Sequence, residues 1–92
     1  MEFLVRIEFV LPPDMAADAR DRLLEQERAR GQELRATGVI QRIWRLPGRN
    51  ANVGIWQAPD PTALHEAISS LPFFPWMDAH VTPLADHHLE RD

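Results

Sequence analysis

From Phe3 to Leu11 the chain sets Phe3, Val5, Ile7, Phe9 and Leu11 against Leu4, Arg6, Glu8 and Val10, a strict period of two. That period suits a strand with one strongly apolar side and does not fit one face of a helix. Pro12-Pro13 ends the strand, since neither ring carries an amide proton for a ladder. Asp14 then reads as the N-cap of a long helix running to about Thr37, with Gly38 as its C-terminal stop. The runs VIQRIWRLPG (39–48) and NANVGIWQA (50–58) read as two strands joined at Pro47-Gly48-Arg49, an antiparallel hairpin. Asp60-Pro61 is a cap followed by proline at the first helical position, and Leu64, Ala67, Ile68 and Leu71 form the stripe of a short second helix. The densest aromatic cluster, SSLPFFPWMD (69–78), falls in a loop before a last strand at about Asp78 to Leu84, and the tail ADHHLERD (85–92) reads as an extended arm.

The order strand, helix, strand, strand, helix, strand, joined by right-handed crossovers, predicts an α+β fold. This is a ferredoxin-like βαββαβ antiparallel sheet with both helices on one face, of the dimeric α+β barrel type. The 92 residues make one domain, 1–92, with little chain for a private core. Leu4, Val10, Ile40, Trp44 and Leu46, or their opposite-parity neighbours, must lie on the other face of the sheet. A second subunit is the natural cover for it, so self-association as at least a dimer is expected.

Composition narrows the partners and the chemistry. A formal charge of −4 without a basic run argues against nucleic acid. No apolar segment approaches the ~20 residues that span a bilayer, and the start lacks a leader pattern, so no membrane partner and a cytoplasmic location are expected. The chain has no cysteine, no lysine and no tyrosine. That removes thiolate nucleophiles, zinc-thiolate sites, Schiff bases and phenol acids. Ser69 and Ser70 are the only serines and sit in neither a nucleophile elbow nor a glycine-rich phosphate loop. Proton transfer therefore falls to Asp, Glu or His. His80 and the adjacent His87-His88 read as solvated, because neighbouring tail histidines share one metal only with poor geometry.

Within the long helix, Leu23, Glu27, Gly31 and Leu34 follow one another down a single stripe, which turns Glu27 toward the sheet. Gly31 costs about 1 kcal/mol of helix propensity relative to alanine and leaves space beside that carboxylate. Glu27 is either an inward-facing acid-base group or the partner of Arg28 or Arg30 in an ion pair, the commoner fate of a helical glutamate. His65, on the flank of the second helix, is either packed or a proton-transfer group. Arg6 and Arg45 lie in strands, where each either pairs with a carboxylate such as Glu8 or receives an anion. Trp44 and Trp56 read as core or interface.

The chain resembles the muconolactone isomerases, with the chloromuconolactone dehalogenases beside them, nearly end to end. The likeness is carried by FLVRIEF, Asp14-Met15, Asp21-Arg22-Leu23, Glu27, Gln32-Glu33-Leu34, Gly38, Ile43-Trp44-Arg45, Gly48, Ala51-Asn52 and Leu64-His65. It continues through Leu71-Pro72, Phe74-Pro75 and Met77-Asp78 into Val81-Thr82-Pro83-Leu84. The spacing Leu-Pro-x-Phe-Pro-x-Met-Asp is the most specific part. Two departures stand out: Arg49-Asn50 replaces the family's usual acidic residue and tyrosine, and Val53 replaces an aromatic.

This resemblance implies a cofactor-free, metal-free isomerase of aromatic-compound catabolism, in the β-ketoadipate pathway. It would move a ring double bond in an unsaturated carboxymethyl lactone, taking muconolactone or a substituted analogue to the 3-oxoadipate enol-lactone. The implied catalytic residues are Glu27 and His65, with Glu27 as the base. Arg6 or Arg45 would meet the substrate carboxylate, Asn52 or His65 would donate to the dienolate oxygen, and Trp44 and Phe74 would line the site. The family assembles dimers through its sheets and a ring-like decamer from these, so the aromatic loop would serve packing and pocket lining together. The alternative from another class is a non-catalytic or biosynthetic ligand-binding or assembly module on the same scaffold.

Overall fold

In a computed structural model, which describes residues 1–90, four strands and two helices follow the expected order. They are β1 (Glu2–Phe9), α1 (Ala17–Ala36), β2 (Ile40–Arg45), β3 (Ala51–Gln57), α2 (Pro61–Ser69) and β4 (Met77–Leu84). The sheet is antiparallel throughout, in the order β2-β3-β1-β4, which is the ferredoxin-like arrangement. Phe3, Val5 and Ile7 of β1 are buried beneath the helices, with Trp56, Ile40, Leu34, Leu64, Ile68 and Leu71 in the same core. The alternation in β1 therefore resolves as Phe3, Val5 and Ile7 inward and Leu4, Arg6 and Glu8 outward.

Three sequence readings shift. The first is the start of α1. Asp14 does not cap the helix: Pro12 to Met15 form a turn closed by the Met15 N–H on the Pro12 carbonyl, and Ala16 is the N-cap with no side-chain hydrogen bond. The consecutive prolines enforce that turn before a helix can begin. The C-terminal end follows the pattern read from Gly38. Gly38 takes φ 83°, its N–H meets the Arg35 carbonyl, and the Val39 N–H meets the Leu34 carbonyl, a Schellman closure. In α2, the Asp60 carboxylate accepts the Ala63 N–H at 2.8 Å, as its position before Pro61 suggests.

The second concerns β2. Ile40 pairs with Trp56 but Arg42 pairs with Ile55, so a bulge inserts Gln41 and reverses the side on which later β2 residues fall. Ile40 belongs to the core rather than to the outer face, Ile43 and Arg45 follow it to the helix side, and Arg42 and Trp44 face outward. Gly54 makes the bulge sterically feasible, since a Cβ there would lie 2.5 Å from the Arg42 carbonyl oxygen. In the tail, residues 88–90 form one 3-10 turn rather than continuing an extended arm, and Arg91 and Asp92 lie outside the described residues.

Candidate active site

Of the 20 residues of α1, only Leu34 near its C-terminal end is buried. The preceding inward positions hold Leu23, Glu27 and Gly31, too short or too polar to fill the layer between helix and sheet. A cavity of about 400 Å³ results, within the ordinary range for small-molecule sites. The helix wall is Leu24, Glu27, Arg28 and Gly31; the sheet wall is Ile7, Phe9, Ile40, Ile43, Asn52 and Trp56; Leu71, Phe73 and Met77 close one end. The aromatic loop thus has a definite task. Phe74–Trp76 forms a 3-10 turn that drives Phe73 inward, where its ring lies 4.7 Å from that of Phe9 at 49°.

Glu27 is half-buried on this wall and accepts a hydrogen bond from the Phe73 N–H at 2.8 Å. Burial pushes its carboxyl above the usual carboxylate range, and the Phe73 hydrogen bond opposes that shift only in part. It has no ion-pair partner among the described residues. Arg30 instead reaches Ser70 Oγ and Glu33, both at 2.9 Å, tying α1 to the end of α2. Arg28 lines the cavity, and neither it nor Arg45 has an ion pair among the described residues. The cavity thus combines apolar walls, one carboxyl group inclined to hold its proton, and two uncommitted guanidinium groups.

Two buried polar side-chain atoms among the described residues lack a partner, Asn52 Oδ1 and Trp56 Nε1, and both residues line this cavity. Leaving such groups unpaired costs about 1–3 kcal/mol each, a local destabilisation beside the cavity. Among the described residues no group of three or more His, Asp or Glu side chains is arranged to hold a metal ion.

The seven site residues expected from the sequence divide into two groups. Glu27, Arg45, Asn52 and Trp44 border the cavity, Trp44 from the β2 edge with Arg42 stacked over its ring at 4.8 Å. Arg6, His65 and Phe74 lie outside it. Arg6 is on the opposite face of the sheet and pairs with Glu8 at 2.5 Å, the first of the two fates open to a strand arginine. His65 is exposed on α2 and stands edge-on to Phe74, centroids 6.0 Å apart. Phe73, not Phe74, takes the inward position, because the 3-10 turn follows neither of the periods by which facing is read from sequence. Arg28 and Trp56 also line the cavity, at positions that no sequence period marks as cavity residues. A glycine inside a strand pattern, Gly54, was the available signal that β2 and β3 approach irregularly and that facing there could not be read by alternation.

A family model described as muconolactone delta-isomerase matches residues 1–90. Similar curated proteins include muconolactone delta-isomerase 2 of Acinetobacter lwoffii, 40% identical over 95% of this chain and 91% of that protein. The muconolactone delta-isomerase of Cupriavidus pinatubonensis is 41% identical over 95% of each chain. A crystal structure of muconolactone isomerase at 3.3 Å resolution superposes with a TM-score of 0.91 at 33% identity, covering 100% of this chain and 96% of that one. Agreement along the whole sheet, both helices and the connecting loops, in sequence and in backbone alike, means that this chain belongs to the muconolactone delta-isomerase family.

Proposed function

We propose that Glu27 is the proton-shuttling base by which this chain, an isomerase of the muconolactone family, moves a ring double bond in an unsaturated lactone. The observation that carries the assignment is a half-buried, unpaired carboxyl on the cavity wall, held by the Phe73 N–H. In its ionised form Glu27 takes a proton from the acidified ring carbon; the C–H electron pair enters the ring system and charge collects on the lactone oxygen as a dienolate. The neutral acid then delivers a proton two carbons away, the double bond moves, and no net charge or electron is gained or lost. A carboxyl whose proton affinity is raised by burial suits both halves of this exchange. Arg45 receives the substrate carboxylate, and Asn52, opposite it in the β2-β3 register, donates through its amide nitrogen to the dienolate oxygen. With muconolactone as substrate, the purified protein should change its ultraviolet absorbance and, in deuterated water, exchange label at the two ring carbons. A chain inert toward muconolactone and its substituted analogues would overturn the reading.

The outer sheet face supports self-association, first as a dimer. Leu4, Trp44 and Leu84 lie on it with 36%, 45% and 40% of their surfaces exposed, a concentration of apolar area that a soluble monomer seldom leaves to water. Light scattering should find no monodisperse monomer at micromolar concentration.

A further inference from the structure

Three arginines of α1 find partners nearby: Arg22 pairs with Asp18, Arg30 with Glu33, and Arg35 donates to the Ile40 and Gln41 carbonyls. Arg28 does none of these. Glu25 stands three residues before it, at the spacing of a helical ion pair, yet that pair is not formed and Arg28 lines the cavity instead. Its place is at the mouth. Among the lining residues Leu24, Arg28, Ile43 and Arg45 are exposed, whereas Ile7, Ile40, Leu71 and Phe73 are buried. The charged side chains of the lining are Glu27, Arg28 and Arg45; β1, β3, β4 and the aromatic loop add none.

With Glu27 ionised, these three groups leave a single net positive charge, which matches a lactone bearing one carboxylate. Proton transfer changes both sides together. Glu27 becomes neutral and the lining carries two positive charges, while the dienolate and its carboxylate carry two negative ones. Arg45 answers the carboxylate and Asn52 gives the dienolate oxygen a neutral donor, so the charge of Arg28 is the counterpart of the dienolate charge. Resting on the isomerase reading above, we infer that Arg28 is the second anion-binding residue of the cavity, and that with Arg45 it makes the mouth a receptor for open-chain dicarboxylates of about the substrate's carbon count. Hydrolysis of the lactone acyl C–O bond yields such a ligand: water adds, a proton leaves, and the ring carbonyl becomes a second carboxylate on the same skeleton. The site therefore takes the ring-opened form of its own ligand and is inhibited by it.

The test compares adipate, a saturated dicarboxylate, with hexanoate, a monocarboxylate of equal length, by calorimetric titration of the purified protein at neutral pH and by inhibition of muconolactone turnover. Adipate should inhibit competitively and bind roughly 5- to 10-fold more tightly than hexanoate, the modest gain expected of a cation partly open to water. Arg28→Gln should abolish that preference while hexanoate binding stays near wild type, and Arg28→Lys should restore most of it. Glu27→Gln, which removes the one negative charge of the lining, should tighten adipate by a larger factor than hexanoate. Adipate that binds wild type no better than hexanoate, or that inhibits without competing with muconolactone, overturns the proposal. So does an adipate preference that survives in Arg28→Gln; should that variant not fold, the wild-type comparison and Arg28→Lys still decide. The two readings fail separately. A wild-type protein that turns muconolactone over without preferring adipate loses only the dicarboxylate site, whereas one inert toward lactones that still prefers adipate through Arg28 loses only the isomerase reading.

Discussion

Replacing Glu27 by glutamine separates its acid-base role from its structural one. Glutamine keeps the length of the side chain and an oxygen to accept the Phe73 N–H, now at 2.8 Å, so the link between α1 and the aromatic loop survives. What disappears is the exchangeable proton. Loss of a general base typically costs ~10²–10⁴ in rate, which at 1.36 kcal/mol per tenfold is about 3–5 kcal/mol of transition-state stabilisation. Stability should move the other way. Because the Glu27 carboxyl is raised above its ordinary value by burial, the folded state binds this proton more tightly than the unfolded state does. Wild-type stability from this group is full below the ordinary carboxylate range and falls as pH rises through the raised value. Glu27→Gln lacks that slope, so its advantage over wild type should be small in acid and grow toward neutrality. Glu27→Ala, by contrast, strands the Phe73 N–H and should lose about 1–3 kcal/mol. Denaturant melts at several pH values, with ultraviolet turnover assays on the same samples, measure both effects. A glutamine variant that turns muconolactone over at the wild-type rate would refute the base assignment. A stability difference that ignores pH would refute the burial argument.

Three further substitutions probe the walls. A Cβ on Gly31 would meet nothing within 4 Å, so Gly31→Ala should stabilise α1 by about 1 kcal/mol in chemical melts, whereas Gly31→Leu should raise KM by filling the space beside Glu27. Gly54→Ala should destabilise by about 1–3 kcal/mol, because its Cβ would press on backbone at Arg42; wild-type stability would mean the bulge relaxes freely. Arg45→Met should raise KM roughly 10- to 100-fold, the equivalent of one charge-assisted hydrogen bond, with little change in melting behaviour. An unchanged KM would transfer the carboxylate to Arg28.

The local signals in the chain were sufficient for the elements and their order. The alternation through Phe3, Val5 and Ile7, the stop at Gly38 and the cap-proline pair Asp60-Pro61 each act within a few residues, through sterics and hydrogen bonds that need no distant partner. The same locality explains how Glu27 could be turned toward the sheet from the helical period alone, with Gly31 beside it. Facing was lost wherever the period broke. The extra Gln41 in β2 moves Ile40 into the core and brings Arg45 to the cavity side, and it depends on a Gly54 that lies on another strand. The 3-10 turn at Phe74–Trp76 exchanges the expected roles of Phe73 and Phe74. Arg6 and Arg45 are alike in sequence as isolated strand arginines; only the pairing of β1 and β2 across β3 assigns one to the outer face and the other to the cavity. That assignment, and the choice of Phe73 as the hydrogen-bond donor that holds Glu27 from 46 residues away, are properties of chain segments meeting in space, set by a register no single segment contains.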